Sequence, residues 1–266
     1  MNKKRSPFLA ATLSVIAPGL GHIYAGSLKK GICLIIFECA ILLIVGLSGI
    51  LVTFHGILLF ILAVFIFYLF SVISSARLAL KNKQFGLKPY NRWYWYLCIW
   101  SILAIGSHLV MTYRTQLFGY QIYQVTANSM KPRLQTGDVI MVTARYSHPK
   151  VGDVVAFHTP LNEKVIYVKR IAATGSDTIS IRNGTVFRNG KIEKTLEVPK
   201  NQREKPFSIS MSTRHIPKGY VFLLGDWRDN SLDSRFYGII PARDILGKAQ
   251  YVWISPDAGR IGKIIK

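Results

Sequence analysis

The feature that most limits the fold of this chain is a pair of uninterrupted apolar runs near its start. From residue 31 the sequence reads GICLIIFECAILLIVGLSGILV, with Glu38 as its one charge, and from residue 57 it reads ILLFILAVFIFYLFSVISSA, with none. About 20 apolar residues at 1.5 Å rise cross the hydrocarbon core of a bilayer, and a helix satisfies every backbone N–H and C=O internally. These runs predict membrane spans over 31–52 and 57–78. A third run, WYWYLCIWSILAIGSHLVMTY, opens on an aromatic belt and predicts a span over 93–113. The earlier stretch 7–24 is broken by Pro18, Gly19 and Gly21. An interfacial or re-entrant segment is expected there, rather than a full span or a cleavable leader.

Basic residues near the span ends set the expected orientation. Lys3, Lys4, Arg5, Lys29 and Lys30 precede the first span, and Arg77, Lys81, Lys83, Lys88 and Arg92 lie between the second and third. The 53–56 connection carries neither Lys nor Arg. Both basic groups are therefore expected in the cytoplasm, and everything after residue 113 outside it. Glu38 is a functional-site candidate by its place in a span; the plainer reading pairs it with Lys29, Lys30 or a neighbouring hydroxyl.

The composition excludes several classes. Only 18% of the 266 residues are charged, where a soluble domain carries about 25%, and 50% are hydrophobic. Cys33, Cys39 and Cys98 all sit in apolar stretches, and the six histidines never pair at metal-ligand spacing. No metal, no cofactor and no disulfide framework is expected. Lys plus Arg number 34 against 13 Asp plus Glu. That excess is scattered over strands and turns, with no basic helix or zinc finger to read bases, so a face toward anionic lipid is expected rather than nucleic acid.

Residues 114–266 read as one mainly antiparallel β domain. GDVIMVTARY, VGDVVAFH, KVIYVKRIAA, DTISIRNGTVFRNGKI, GYVFLLGD and KAQYVWIS are β-branched or alternating runs set apart by Gly, Pro, Asn and Asp. Asn183-Gly184 and Asn189-Gly190 suit two-residue hairpin turns, whose central positions both need positive φ.

Three local sequences could do chemistry. In ANSMKPRL a serine, Ser129, stands in a polar stretch ahead of the first expected strand, where loops display nucleophiles. In VIYVKRI a period of two puts Lys169 on one face with Val165, Tyr167 and Ile171. A strand lysine ordinarily snorkels to water. If desolvated, its charged form is disfavoured and its pKa falls toward neutrality, which makes it a base. In GDWRDNSLDSR, Asp233 and Arg235 can form an ion pair that fixes the loop; the run lacks the closing Glu of a calcium loop. His148, His158 and His215 are available for a Ser-His-Asp triad, but none lies in a motif that sets it beside Ser129.

NSMKPRL, VGDVVAF, YVKRIAATGSD and GDWRDNSLDSRFYG, in this order over roughly 123–240, resemble the successive boxes of the type I (leader) signal peptidases, membrane-bound serine proteases with a Ser/Lys dyad. The resemblance implies Ser129 as nucleophile and Lys169 as general base. It also implies Ser231 as a hydrogen-bond partner that orients the lysine amine, Asp226 as a brace for its loop, and Asp233 with Arg235 as a structural ion pair. The substrates implied are exported preproteins, cut after a small-x-small signal-peptide end, at a bacterial cytoplasmic membrane with the catalytic domain on its outer side.

The chain also departs from the family pattern. Ala127 stands where some members carry a hydroxyl two residues before the nucleophile, which leaves the second oxyanion donor unassigned. Trp227 replaces the usual Asn, and Ala173-Thr174-Gly175-Ser176 replaces a more Gly-Pro-like turn. Three spans exceed the usual one or two, and PGLGHIYAG resembles the opening of small two-span membrane proteins. The competing readings are a Ser/Lys peptidase dedicated to one pilin-like or secreted partner, and an inactive relative that binds peptides at the membrane.

Overall fold

The computed structural model describes residues 2–3, 5–82, 85–86 and 88–266. Lys4 and Lys83, counted above among the basic residues, lie outside the described residues. The chain forms two compact units, Met1–Phe118 and Gly119–Lys266.

In the first unit β1 (Asn2–Lys3) pairs antiparallel with β2 (Phe85–Gly86). Helix α1 (Pro7–Ile16) starts where Ser6 caps it, with Pro7 at its first position, and stops before Pro18. Gly19, at φ +101°, turns the chain into α2 (Leu20–Tyr24). The 7–24 segment is thus two short helices, and Ala10, Ser14, Leu20, Gly21 and Ile23 are buried in it. Small residues let these backbones approach: a Cβ on Gly21 would clash with the Ala10 carbonyl and the Ser14 hydroxyl. Helices α3 (Leu28–Ser48), α4 (Phe54–Lys81) and α5 (Trp93–Thr112) follow, then α6 (Arg114–Phe118).

Among the described residues, α3, α4 and α5 are the helices long and apolar enough to cross a membrane. Their outward faces are apolar, with Ile36, Leu59, Phe65 and Ile102 all more than half exposed. α4 begins earlier than the sequence run suggests because Thr53 caps it, accepting from the Gly56 N–H at 3.2 Å. Glu38 accepts a hydrogen bond from the Tyr68 hydroxyl of α4 at 2.9 Å, the hydroxyl pairing foreseen as its plainer role.

The second unit is built on a seven-stranded antiparallel sheet and a smaller four-stranded one. Its strands in chain order are β3 (Tyr120–Gln124), β4 (Val139–Thr143), β5 (Val154–Thr159), β6 (Asn162–Thr174), β7 (Thr178–Arg182), β8 (Thr185–Arg188), β9 (Lys191–Ile192), β10 (Met211–His215), β11 (Tyr220–Leu224), β12 (Ile240–Pro241) and β13 (Ile245–Ile254). One-turn helices α7 (Pro206–Ile209) and α8 (Ser234–Tyr237) lie between them. The large sheet runs β12-β11-β6-β5-β13-β4-β3 and the small one β10-β7-β8-β9. Both Asn-Gly pairs turn hairpins as their sequence predicts, Asn183 and Gly184 at φ +49° and +73°, Asn189 and Gly190 at +51° and +75°. The sequence reading placed no strand at β3 or β10, where polar residues break the alternation; pairing to β4 and β7 supplies what local pattern does not.

The two faces of the large sheet bury different sets of side chains. One set, with Ile140, Val142, Val154, Ala156, Ala249 and Val252, takes in Met130 and Leu134 from the loop after β3. The other holds Val155, Phe157, Ile171, Val221, Leu223 and Ile240. β6 belongs to both, since alternate residues point to opposite faces.

Candidate active site

Ser129 sits in a tight turn between β3 and β4. Two side chains that follow it anchor the turn: Met130 is 1% exposed and Leu134 fully buried, both in the sheet core. Lys131 N–H donates to the Asn128 carbonyl at 3.0 Å, and Leu134 N–H to the Met130 carbonyl at 2.9 Å. Asn128 Oδ1 accepts from Thr136 N–H and hydroxyl, closing the far side of the loop. The serine is thus held by two apolar plugs and local hydrogen bonds, with its side chain only partly covered.

Lys169 comes from the middle of β6. Its cross-strand neighbour is Val155, and Tyr167 and Ile171 flank it on the same face, all three within the second buried cluster. The residue is 4% exposed. Its Nζ donates to Ser129 Oγ. The Tyr167 ring lies 5.5 Å from the amine. Desolvation pushes the Lys169 pKa down to about 8; Asp233 and Asp226 pull upward, Arg235 adds to the fall, and burial wins.

The loop after β11 closes the site from a third side. Trp227 N–H donates to the Ser129 carbonyl at 3.0 Å, tying the two loops together. Gly225 N–H donates to Asp233 Oδ2 at 2.9 Å. A Cβ on Gly225 would lie 2.8 Å from the Ser129 carbonyl oxygen and inside the Ser231 side chain, so a residue without a side chain is needed there. Asp233, fully buried, also accepts from Arg235 Nε at 2.8 Å and Nη2 at 2.9 Å. Arg235 spends its remaining donors on the Arg228 and Phe207 carbonyls and the Ser208 hydroxyl. The buried pair is therefore surrounded by groups that satisfy it, the condition under which burying two charges is tolerated.

Ser231 departs from the sequence expectation. Its hydroxyl donates to Asp233 Oδ2 at 2.7 Å, and among the described residues no hydrogen bond joins it to the Lys169 amine. A buried carboxylate is the stronger acceptor for the single hydroxyl proton. Asp226 is held by Arg170 through a two-point pair, Nε to Oδ1 at 2.8 Å and Nη2 to Oδ2 at 2.7 Å, with Arg133 adding a third bond at 3.2 Å. Burial pulls the Asp226 pKa up, but these cations outweigh it and leave the carboxyl below its usual range.

Sequence reading missed two of these residues. Arg170 follows Lys169 and so faces the other side of β6, where it joins Asp226 and the carbonyls of Gly152 and Lys266. Its one visible signal is the Lys-Arg pair in the otherwise apolar run VIYVKRIAA. Arg228, 1% exposed, donates to the Gly225 and Leu196 carbonyls, and burial pushes its pKa down to about 10. Nothing local in the sequence marks it as buried.

A serine hydroxyl against a desolvated lysine amine, on an antiparallel β unit, has the equipment of a serine peptidase of the Ser-Lys kind. The family model for signal peptidase, peptidase S26, matches residues 97–254. Over 153 residues the chain is 31% identical to a probable signal peptidase I-1 of Synechocystis sp., covering 54% of this chain and 76% of that protein. Over 219 residues it is 30% identical to a signal peptidase I of Aquifex aeolicus, covering 60% and 82%. A solved signal peptidase I from Enterococcus faecalis V583 is 26% identical, covering 39% of this chain and 98% of that one, with a TM-score of 0.35. The chain belongs to the signal peptidase, peptidase S26, family, and is a serine endopeptidase.

Proposed function

We propose that this protein removes signal peptides from exported preproteins with Ser129 as nucleophile and Lys169 as general base. The observation that carries the reading is the contact of the Ser129 hydroxyl with the amine of a lysine that is 4% exposed. An amine titrating near 8 is neutral in a sizeable fraction of molecules at physiological pH. Neutral Lys169 takes the Ser129 proton as the hydroxyl attacks the scissile carbonyl. The lysinium then gives a proton to the leaving amine, and water resolves the acyl-enzyme by the same route. The Ser129 N–H, which makes no hydrogen bond among the described residues, is a natural oxyanion donor. Asp233, Arg235 and Ser231 are positioning residues that hold the loop carrying Gly225 and Trp227 against Ser129. Asp226 with Arg170 braces the same loop on the opposite face of β6. An extended signal-peptide tail would add to a sheet edge, with shallow pockets that admit only small side chains.

The three apolar helices span a bacterial cytoplasmic membrane in this reading, with the basic residues flanking α3 and α4 inside and the unit after residue 118 outside. The lipid bilayer is the other partner, and nucleic acid is not. Protease added to spheroplasts should cut within residues 119–266 and spare the 79–92 loop; the opposite pattern overturns the orientation.

The function is tested by incubating the purified full chain with a model preprotein, beside Ser129→Ala and Lys169→Arg, and reading the new N-terminus by mass spectrometry. A cut after a small-x-small tail that both variants lose is the expected result. A cut that survives Lys169→Arg would remove the base, because an arginine stays charged at this pH.

A further inference from the structure

The first unit holds a feature that peptide cleavage does not use. Between α3 and α4, at the end where α3 starts and α4 finishes, lies an open cavity of about 440 Å³ lined by Lys30, Phe70, Ile73, Ser74, Arg77 and Lys81. A second, of about 300 Å³, shares Lys30, Phe70 and Ser74 and reaches inward to His22, Cys33 and Leu34. On α4 the lining residues recur at helical spacing, Phe70, Ile73, Ser74, Arg77 and Lys81, so one stripe passes from apolar to hydroxyl to cationic toward the helix end.

Three observations point to an anion. Glu38 is the one acid in residues 1–118, and it is engaged by Tyr68, so no other carboxylate of this unit is there to pair with Lys30, Arg77 and Lys81. Arg77 and Lys81 are four apart on one helix, a like-charge spacing that opposes helix stability when nothing lies between them. Lys30 stands in the first turn of the 21-residue α3, which carries no acid there and whose N-cap Ser27 makes no side-chain capping bond. That end of a helix favours negative charge.

We propose that this cavity binds the phosphate headgroup of one anionic phospholipid, held by Lys30, Arg77 and Lys81 with the Ser74 hydroxyl beneath. The apolar stripe of Phe70 and Ile73 takes the glycerol and first acyl carbons. Cations at a helix end with apolar lining below match the two halves of such a lipid, whereas a free phosphate uses only the upper half. The inference rests on α3 and α4 lying in a bilayer as proposed above, but not on which side faces the cytoplasm.

The test uses the full chain in nanodiscs of phosphatidylcholine doped with phosphatidylglycerol, with retained lipid read by native mass spectrometry. Wild type should keep one phosphatidylglycerol in clear preference to phosphatidylcholine. Arg77→Gln with Lys81→Gln should weaken that retention about 10-fold or more. Ser74→Leu keeps every charge but fills the cavity, and should weaken it similarly; Lys29→Gln, outside the cavity, should not. Unchanged size-exclusion elution and circular dichroism establish folding for each variant, and Lys30→Gln replaces any that fails. Equal retention of the two lipids, or equal loss in Lys29→Gln, would refute a built site. Retention untouched by Ser74→Leu would reduce it to surface attraction. Displacement of the lipid by millimolar inorganic phosphate would make free phosphate the ligand and overturn the lipid assignment.

Discussion

Replacing Lys169 by methionine should abolish cleavage and make the folded protein more stable at neutral pH. Methionine keeps the length and apolar character of the lysine stem while removing the charge that burial penalises. The lysine falls from its ordinary 10.5 to about 8 in the fold. That difference of 2.5 units, at 1.36 kcal/mol each, amounts to about 3 kcal/mol. Below pH 8 the amine is charged in both folded and unfolded chains, so the full cost is present. Between pH 8 and 10.5 the folded protein has released the proton while the unfolded chain keeps it, so wild-type stability rises with pH. Above 10.5 both are neutral and the cost is gone. The advantage of Lys169→Met should therefore be constant below pH 8, shrink through this window and vanish above it. Near pH 7 it should appear as a midpoint roughly 6 to 12 °C higher. Thermal unfolding of the full chain in detergent, followed by tryptophan fluorescence from pH 6 to 11, measures it. A variant less stable than wild type at pH 7, or an advantage that does not change with pH, would mean that the amine is not desolvated. The same reasoning puts the acidic limb of kcat/KM near pH 8 in the wild type.

Other substitutions test the scaffold around the dyad. Asp226→Ala strands the buried Arg170 charge and should cost about 3 to 5 kcal/mol in denaturant unfolding, most of it recovered when Arg170→Met and Asp226→Leu are combined; a mild effect of the single change would mean that water reaches the guanidinium. Gly225→Ala pushes on both Ser231 and the Ser129 carbonyl, and should lower turnover of a peptide substrate on the order of 100-fold with a smaller effect on KM, whereas full activity would show that this approach is not needed. Asn183→Ala, at φ +49°, should cost about 1 kcal/mol of stability without touching kcat, a split that separates hairpin strain from catalysis.

Much of this could be read before any coordinates. The positions of α3 to α5 follow from apolar runs, because a helix satisfies its own backbone hydrogen bonds where side chains offer none. The hairpins at 183–184 and 189–190 follow from Asn-Gly, because few other residues accept two successive positive φ angles. Lys169 could be singled out because its strand neighbours at a spacing of two are apolar. Ser129 could be paired with it only through the order of the surrounding motifs, since a serine before Met-Lys-Pro is otherwise an ordinary turn residue. β3 and β10 stayed hidden because their residues are mixed in character, and their pairing partners lie elsewhere in the chain.

By itself, then, the sequence determined which segments are long apolar helix or tight hairpin and marked Lys169 as a base candidate on an apolar strand face, because these depend on local dihedral preference, periodicity and side-chain type. Tertiary structure alone decided how that chemistry is tuned. Lys169 loses its water only because Val155 and Ile171 pack around it within the same buried cluster as Leu223. Ser231 gives its proton to Asp233 because the chain brings that carboxylate beneath it. Arg170 finds Asp226 across 56 residues of sequence because β6 and β11 are hydrogen-bonded neighbours. Solvent exclusion and electrostatic pairing are properties of neighbours in space, and the local pattern of a sequence carries almost no information about them.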